Sequence, residues 1–225
     1  MARIGEEPLA KLQTWISEEQ LLGVPFAHGA VLGTVGLDGA PRTRMLGAYL
    51  SNEGIPIFYT SPASQKVSEI EKLSRASLTF GFQRGLRSVT IEGTLEPLST
   101  TELNEGWRGF DADFRKHYVI FGPSSGASID SFDHLRDARD RLAPGAEDPR
   151  PESFIGFRFK EIHRVIFYAV APNDFAVCEE FKPLPAGGWV RRLRVPKSQK
   201  ATPLSRDKHT SSAASPALYP ARAAG

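Results

Sequence analysis

Residues 31–66, VLGTVGLDGAPRTRMLGAYLSNEGIPIFYTSPASQK, constrain the fold more than any other stretch of this chain. Asp38-Gly39 is a two-residue hairpin signal, and Asn52-Glu53-Gly54 is a second turn. They divide the stretch into three short apolar strands, 31–35, 42–50 and 55–60. Strands joined by turns this tight must run antiparallel. The third strand leads straight into a hydroxyl-rich helix start. Ser61 or Ser64 can cap it, Pro62 suits a first turn, and Val67, Ile70 and Leu73 share one face.

The same logic extends in both directions. Residues 8–20 read as an amphipathic helix with Leu9, Leu12 and Ile16 on one side. Strands are expected at 77–82 and 87–98, and Ser99-Thr100-Thr101-Glu102 is a capping box opening a helix towards Trp107. Residues 111–128 are aromatic-rich and end in a Gly-Pro-Ser-Ser-Gly loop. Ile129, Phe132, Leu135 and Leu142 mark an amphipathic helix up to Ala143, and 144–151 reads as a linker. Strands follow at 154–159 and 165–170, with a closing pair near 177–181 and 189–195. The tail 197–225 is polar, small and Ala/Ser/Pro-rich, and is expected to be disordered. Many short strands with a few helices suggest a small antiparallel barrel with helical additions.

The chemistry-bearing residues are few. Arg44 lies mid-strand among apolar and small neighbours, and Lys66 lies in the first turn of a helix. An inward-facing guanidinium needs an anionic partner, because an unpaired buried charge is costly. A lysine at a helix N-terminus opposes the macrodipole, so it contributes little to folding alone but suits a bound anion. With hydroxyls from Ser61 and Ser64, these are the parts of a phosphate site.

Composition excludes other classes. Net charge is +2 over 225 residues, too small for a chain-wide nucleic-acid surface. Cys178 is the single cysteine, so no intramolecular disulfide can form. The five histidines show no metal-ligand spacing, and no apolar run is long enough to span a membrane. Early acids and the lack of an apolar secretory core make cytoplasmic the expectation.

GTVGLDGAPRTR followed by FYTSPASQK resembles the pyridoxamine 5'-phosphate oxidase family of FMN-binding split barrels. That family joins a strand pair ATV-x-x-x-G-x-P-x-x-R to F-Y-T-N-x-x-S-x-K. LRSVTIEGTLEPLS is similar to its ERQVRVEGxxExLS, and weaker matches fall at 153–157 and 188–193. The resemblance implies a mainly β (α+β) fold: a six-to-eight-stranded antiparallel split barrel with Greek-key-like topology and peripheral helices, over residues 1–196. It implies a homodimer with flavin at the interface, and an FMN-dependent oxidoreductase acting on a small organic substrate. Arg44 and Lys66 would hold the FMN phosphate, with Ser64 nearby. The backbone of Arg44, Met45, Leu46 and Gly47, and that of Tyr59 and Thr60, would line the ribityl chain and ring. Gln65 stands where the family has a second basic residue, and Ser88 where it has a glutamine. Ser124 matches the serine of a Q-S pair given by the other subunit.

The departures concern the substrate. Tyr49 replaces the lysine that ends the second-strand motif. Gly106 and Phe110 fall where the family has a tyrosine and an arginine, and 171–180 lacks its R-L-H-D-R. The chain therefore resembles a relative that keeps the flavin cradle and has changed its substrate. Tyr49, Ser88 and Trp107 would lie near the ring, and no acid or base is assigned. Two other readings stay open: a non-catalytic flavin- or haem-binding protein, and a deazaflavin-dependent reductase on the same barrel.

Overall fold

The computed structural model describes residues 7–83, 85–143, 145–170 and 175–195. The expected tail at 197–225 lies outside them, as does part of 171–180. Gly29–Val35 (β1) and Pro41–Leu50 (β2) form the hairpin that Asp38-Gly39 announces, with Val35 opposite Pro41 and Gly29 opposite Gly47. Gly39 takes φ +83°, the left-handed conformation such a turn demands. Pro56–Thr60 (β3) pairs with β2 through the second turn. A helix, Gln65–Lys72 (α2), then carries the chain across to Arg75–Phe82 (β4), which pairs with the far side of β1. The strand order 3-2-1-4 is a Greek key.

Arg87–Pro97 (β5) pairs with β4, and Ile155–Ala169 (β6) pairs with both β5 and β3. This closes a six-stranded antiparallel barrel. Val177–Pro183 (β7) and Trp189–Arg194 (β8) extend the sheet beyond it. The sequence suggests two strands, 154–159 and 165–170, where the structure has one strand of 15 residues. Lys160, Glu161, His163 and Arg164 interrupt the apolar pattern like a turn, but they lie within the strand. Register against β5 shifts between Glu92 and Gly93 and between Thr94 and Leu95. These irregularities bend β6, so its first half closes on β3 while its second half pairs with β7. Gly93 permits the close approach: a Cβ there would sit 2.0 Å from the Glu161 carbonyl oxygen.

Two cores result. Leu32, Ala48, Phe58, Leu78, Phe80, Ile91 and Phe167 fill the barrel, closed at one end by Pro8–Leu21 (α1) through Leu12 and Ile16. The second core lies outside β3 and β6, under Thr100–Gly109 (α3) and Ala112–Phe121 (α4). Ser99 and Glu102 form the expected capping box, and Asp111 caps α4 in the stretch whose structure the sequence left open. Trp107 is buried there with its indole nitrogen donating to the Glu147 carbonyl, so it is a core residue rather than a residue beside a ligand ring.

Residues 145–151 do not hang free as a linker. Beyond the Trp107 bond, Arg115 pairs with Asp148 at 2.8 Å, and Arg150 binds Asn104 and the Phe154 carbonyl. The helix expected over 129–143 is shorter, Asp133–Asp140 (α5), and buries none of its residues. Its apolar side meets only a shallow groove against α4, and Ile129 and Phe132 stay exposed.

Candidate functional site

Alternation along β2 turns Arg44 to the same side as Leu46 and Ala48, the side facing the barrel core. The guanidinium there already has an anion. Its Nη2 donates to Glu69 Oε2 at 2.6 Å and its Nη1 to the Thr34 hydroxyl, which itself donates to Glu69 at 2.6 Å. Glu69 is fully buried on α2, between the core-facing Val67 and Ile70. Its burial alone would raise its pKa, but the Thr34 hydroxyl and the Arg44 charge outweigh that and hold it below the usual carboxylate range. The inward arginine thus satisfies its charge within the chain, and keeps further guanidinium donors for an outside anion.

Lys66 completes the corner. Its ammonium donates to Thr60 Oγ1 at 3.0 Å, at the end of β3, and to the hydroxyl of Ser64, the residue capping α2. Ser64 makes no side-chain bond to the helix backbone, since its oxygen serves Lys66 instead. Burial and the neighbouring charge of Arg44 both press the Lys66 pKa below the ordinary lysine value, and Glu69 only partly opposes them. Arg44 and Lys66 therefore feel one another, and Glu69 is the carboxylate whose field reaches both. The corner holds surplus positive charge beside a helix N-terminus, which fits a phosphate group.

The structure thus brings together Arg44, Ser64 and Lys66 as the sequence suggested, and adds the side chains of Thr34, Thr60 and Glu69. The signal for Glu69 was an acid on the apolar face of α2, three residues after Lys66. Ser61 is not a free donor: it is buried, donates to the Gly122 carbonyl and accepts from the Ala63 amide. Gln65 is exposed.

Other expected residues sit on the outer face of the barrel. Met45, Gly47 and Tyr49 point away from the core. Gly47 pairs with Gly29, and Gly81 with Ser88, which in turn pairs with Tyr168. Ala30 pairs with Phe80, so Gly29 and Gly81 lie at the same level and a row of small residues crosses the sheet. Tyr49 contacts Tyr59 and Phe110, bringing together positions far apart in sequence. Tyr59 is pushed up to about 12 by burial, by Tyr49, and by the negative charges of Glu102 and Glu105. Ser124 is exposed in a 3-10 turn, Gly122–Ser124, anchored to Ser61 of the same chain. No cluster of three His, Cys, Asp or Glu side chains suited to a metal occurs among the described residues. No helix among them is long and apolar enough to cross a membrane.

A closed Greek-key barrel with a cationic corner at a helix N-terminus defines a class, the split-barrel proteins. The family model described as pyridoxamine 5'-phosphate oxidase matches residues 19–165, and the chain belongs to that family. It is 29% identical over 196 residues to the pyridoxine/pyridoxamine 5'-phosphate oxidase of Sinorhizobium fredii, covering 85% of this chain and 93% of the relative. It is 31% identical over 164 residues to the enzyme of the same name from Mycolicibacterium smegmatis, covering 69% and 70%.

Two solved structures share the fold. PhzG from Burkholderia lata 383, in complex with tetrahydrophenazine-1-carboxylic acid, superimposes with TM-score 0.73 at 20% identity, over 85% of this chain and 94% of that one. A pyridoxamine 5'-phosphate oxidase-related, FMN binding protein from Nostoc punctiforme gives 0.70 at 17%, over 86% and 100%.

Proposed function

We propose that this protein is an FMN-dependent oxidoreductase acting on a small organic substrate, working in the cytoplasm as a homodimer with flavin at the interface. The observation that carries the reading is the corner where Arg44, bonded to buried Glu69, and Lys66, bonded to Thr60 and Ser64, lie close enough for their charges to act on one another. Family membership supports a flavin, and the corner supports one that ends in a phosphate. FMN, when bound, supplies the two-electron chemistry.

The protein's part is binding and orientation. Arg44 and Lys66 neutralise the phosphate, and Thr60 and Ser64 hold the ammonium in place. Glu69 and Thr34 fix the plane of the guanidinium. The outer face, where Gly81 lies open and Val31 and Met45 are exposed, favours a second copy as its cover. The visible spectrum of the purified protein tests the reading. Twin flavin bands that bleach with dithionite, and FMN binding tighter than riboflavin binding, are expected. A colourless protein that ignores added FMN would refute it. A Soret band, or preference for a deazaflavin, would replace it with one of its rivals.

A further inference from the structure

The cationic corner carries an anion of its own. Glu69 is fully buried on α2, and its hydrogen bonds among the described residues all end on one oxygen. Oε2 accepts from the Thr34 hydroxyl and from Arg44 Nη2, each at 2.6 Å. Oε1 is also buried and has no hydrogen-bond partner among the described residues. The negative charge is therefore incompletely compensated where it sits, and its field reaches further. It raises the Lys66 pKa against the larger effects of burial and of Arg44. Arg42 also acts on Glu69 through its charge, but its guanidinium is drawn to Asp38 at 2.8 Å, on the surface.

Charge limits how firmly this corner can hold a phosphate. Arg44 and Lys66 bring two positive charges, Glu69 cancels one, and Gln65 at the start of α2 is exposed and neutral. A phosphate monoester carries a charge of about −1.5 to −2 near pH 7, more than one surplus cation balances. Glu69 also repels it with little solvent between them, because the carboxylate has no exposure.

The bonds within the chain point the same way. Two half-buried cations without acceptors would repel one another and make the fold depend on an anion. Here each has acceptors inside the chain. Arg44 donates to Glu69 and Thr34, and Lys66 to Thr60 and Ser64. The fold therefore does not need a phosphate at this corner in order to satisfy its charges.

We propose that Glu69 is a specificity-determining residue that loosens the corner's hold on phosphate, so that FMN is an exchangeable ligand, taken up and released, rather than a permanently held group. The inference rests on the flavin reading and adds to it the role of this one charge. Free FMN then belongs among the small-molecule partners of the protein.

Glu69→Gln separates the charge from the geometry. The amide oxygen can keep the bonds from Thr34 and Arg44, and the amide nitrogen would stand where Oε1 makes none, so no bond is broken. Binding to the full-length protein is followed by quenching of flavin fluorescence, and release by its recovery on dilution, with FMN and riboflavin in parallel. Absence of quenching by FMN would fail the flavin reading itself, and this proposal with it. From the unmutated protein, FMN release within about a minute is expected. Glu69→Gln should bind FMN about tenfold tighter and release it more slowly, with riboflavin unchanged. A merely structural role for Glu69 would not move the ratio of the two affinities. The proposal is overturned if FMN stays on the unmutated protein for hours, or if Glu69→Gln leaves that ratio unchanged or lowers it. The release measurement needs no variant, so it stays decisive even if Glu69→Gln fails to fold.

Discussion

Arg44 and Lys66 are bound to different partners, and their replacements should differ accordingly. On the proposed FMN reading Arg44→Ala removes a phosphate ligand; it also strands Glu69, which has no exposure of its own. On the same reading Lys66→Ala removes the other phosphate ligand, but it leaves only two hydroxyls without their donor. Each should weaken FMN by about 1–3 kcal/mol, the range of charge-assisted bonds, while riboflavin affinity changes little. Only Arg44→Ala should also lower the melting temperature markedly. Its cost should stay below the roughly 3–5 kcal/mol of breaking a fully buried pair, since the arginine side chain remains 22% exposed. Flavin titration and thermal unfolding of both variants check this. Equal loss of riboflavin and FMN would remove the phosphate assignment.

Lys66 also gives the site a pH signature. Its folded pKa lies below the ordinary value of 10.5 that the unfolded chain keeps. Between those two values the unfolded chain holds more protons, so this group makes stability rise with pH across that window. The proposed phosphate binding runs the other way, because it needs the ammonium. FMN affinity should therefore fall as pH climbs through the lowered Lys66 value, starting below 10.5, while riboflavin affinity stays flat. Lys66→Arg should move that fall upward or abolish it, as a guanidinium keeps its proton. FMN titrations across the alkaline range report the outcome.

At the scale of elements, legibility followed locality. The β1–β2 hairpin, the capping box at Ser99 and the helix starting at Gln65 depend on residues close in sequence, and all were readable. The single strand β6 was not, because its polar middle is explained only by irregular pairing with β5, about seventy residues earlier. The same distinction divides the site. Lys66, Thr60 and Ser64 lie within one turn of chain, whereas Glu69 matters only because β2 sets Arg44 above it. The contacts among Phe26, His28, Tyr49, Phe110 and Phe114 join three separate stretches, so no local pattern announced them. Gly93 tests the β5–β6 account. Gly93→Ala must force the Glu161 carbonyl away from 2.0 Å and should destabilise by about 1–3 kcal/mol, as overpacking does. Ser99→Ala, which loses only a cap, should cost about 1 kcal/mol. Denaturant melts of the two variants compare them directly. A silent Gly93→Ala would mean that β6 can shift without loss.

The whole molecule poses the question of its partner. A closed barrel removes sheet edges along most of its girth, so association should use a face instead. The face opposite the covered one is unusually bare: Val31 is 37% and Met45 68% exposed, directly across from one another in the β1–β2 pair. Gly29 and Gly47 pair at the next outward position, but the side chains of Phe26, His28 and Tyr49 cover them, so the bare part of the face is centred on Val31 and Met45. A dimer built there would border the rings of His28 and Tyr49 and the strand positions Gly81 and Ser88. Val31→Glu places a charge in the middle of this face without touching the cationic corner. Sedimentation should show about twice 24.7 kDa for the unmutated chain and a shift towards monomer for the variant. If the flavin ring is shared between copies, FMN affinity should fall in step with dimer loss, while the phosphate corner stays intact. A monomeric Val31→Glu that binds FMN as tightly as before would place the flavin within one barrel and leave the dimer without a role in holding it.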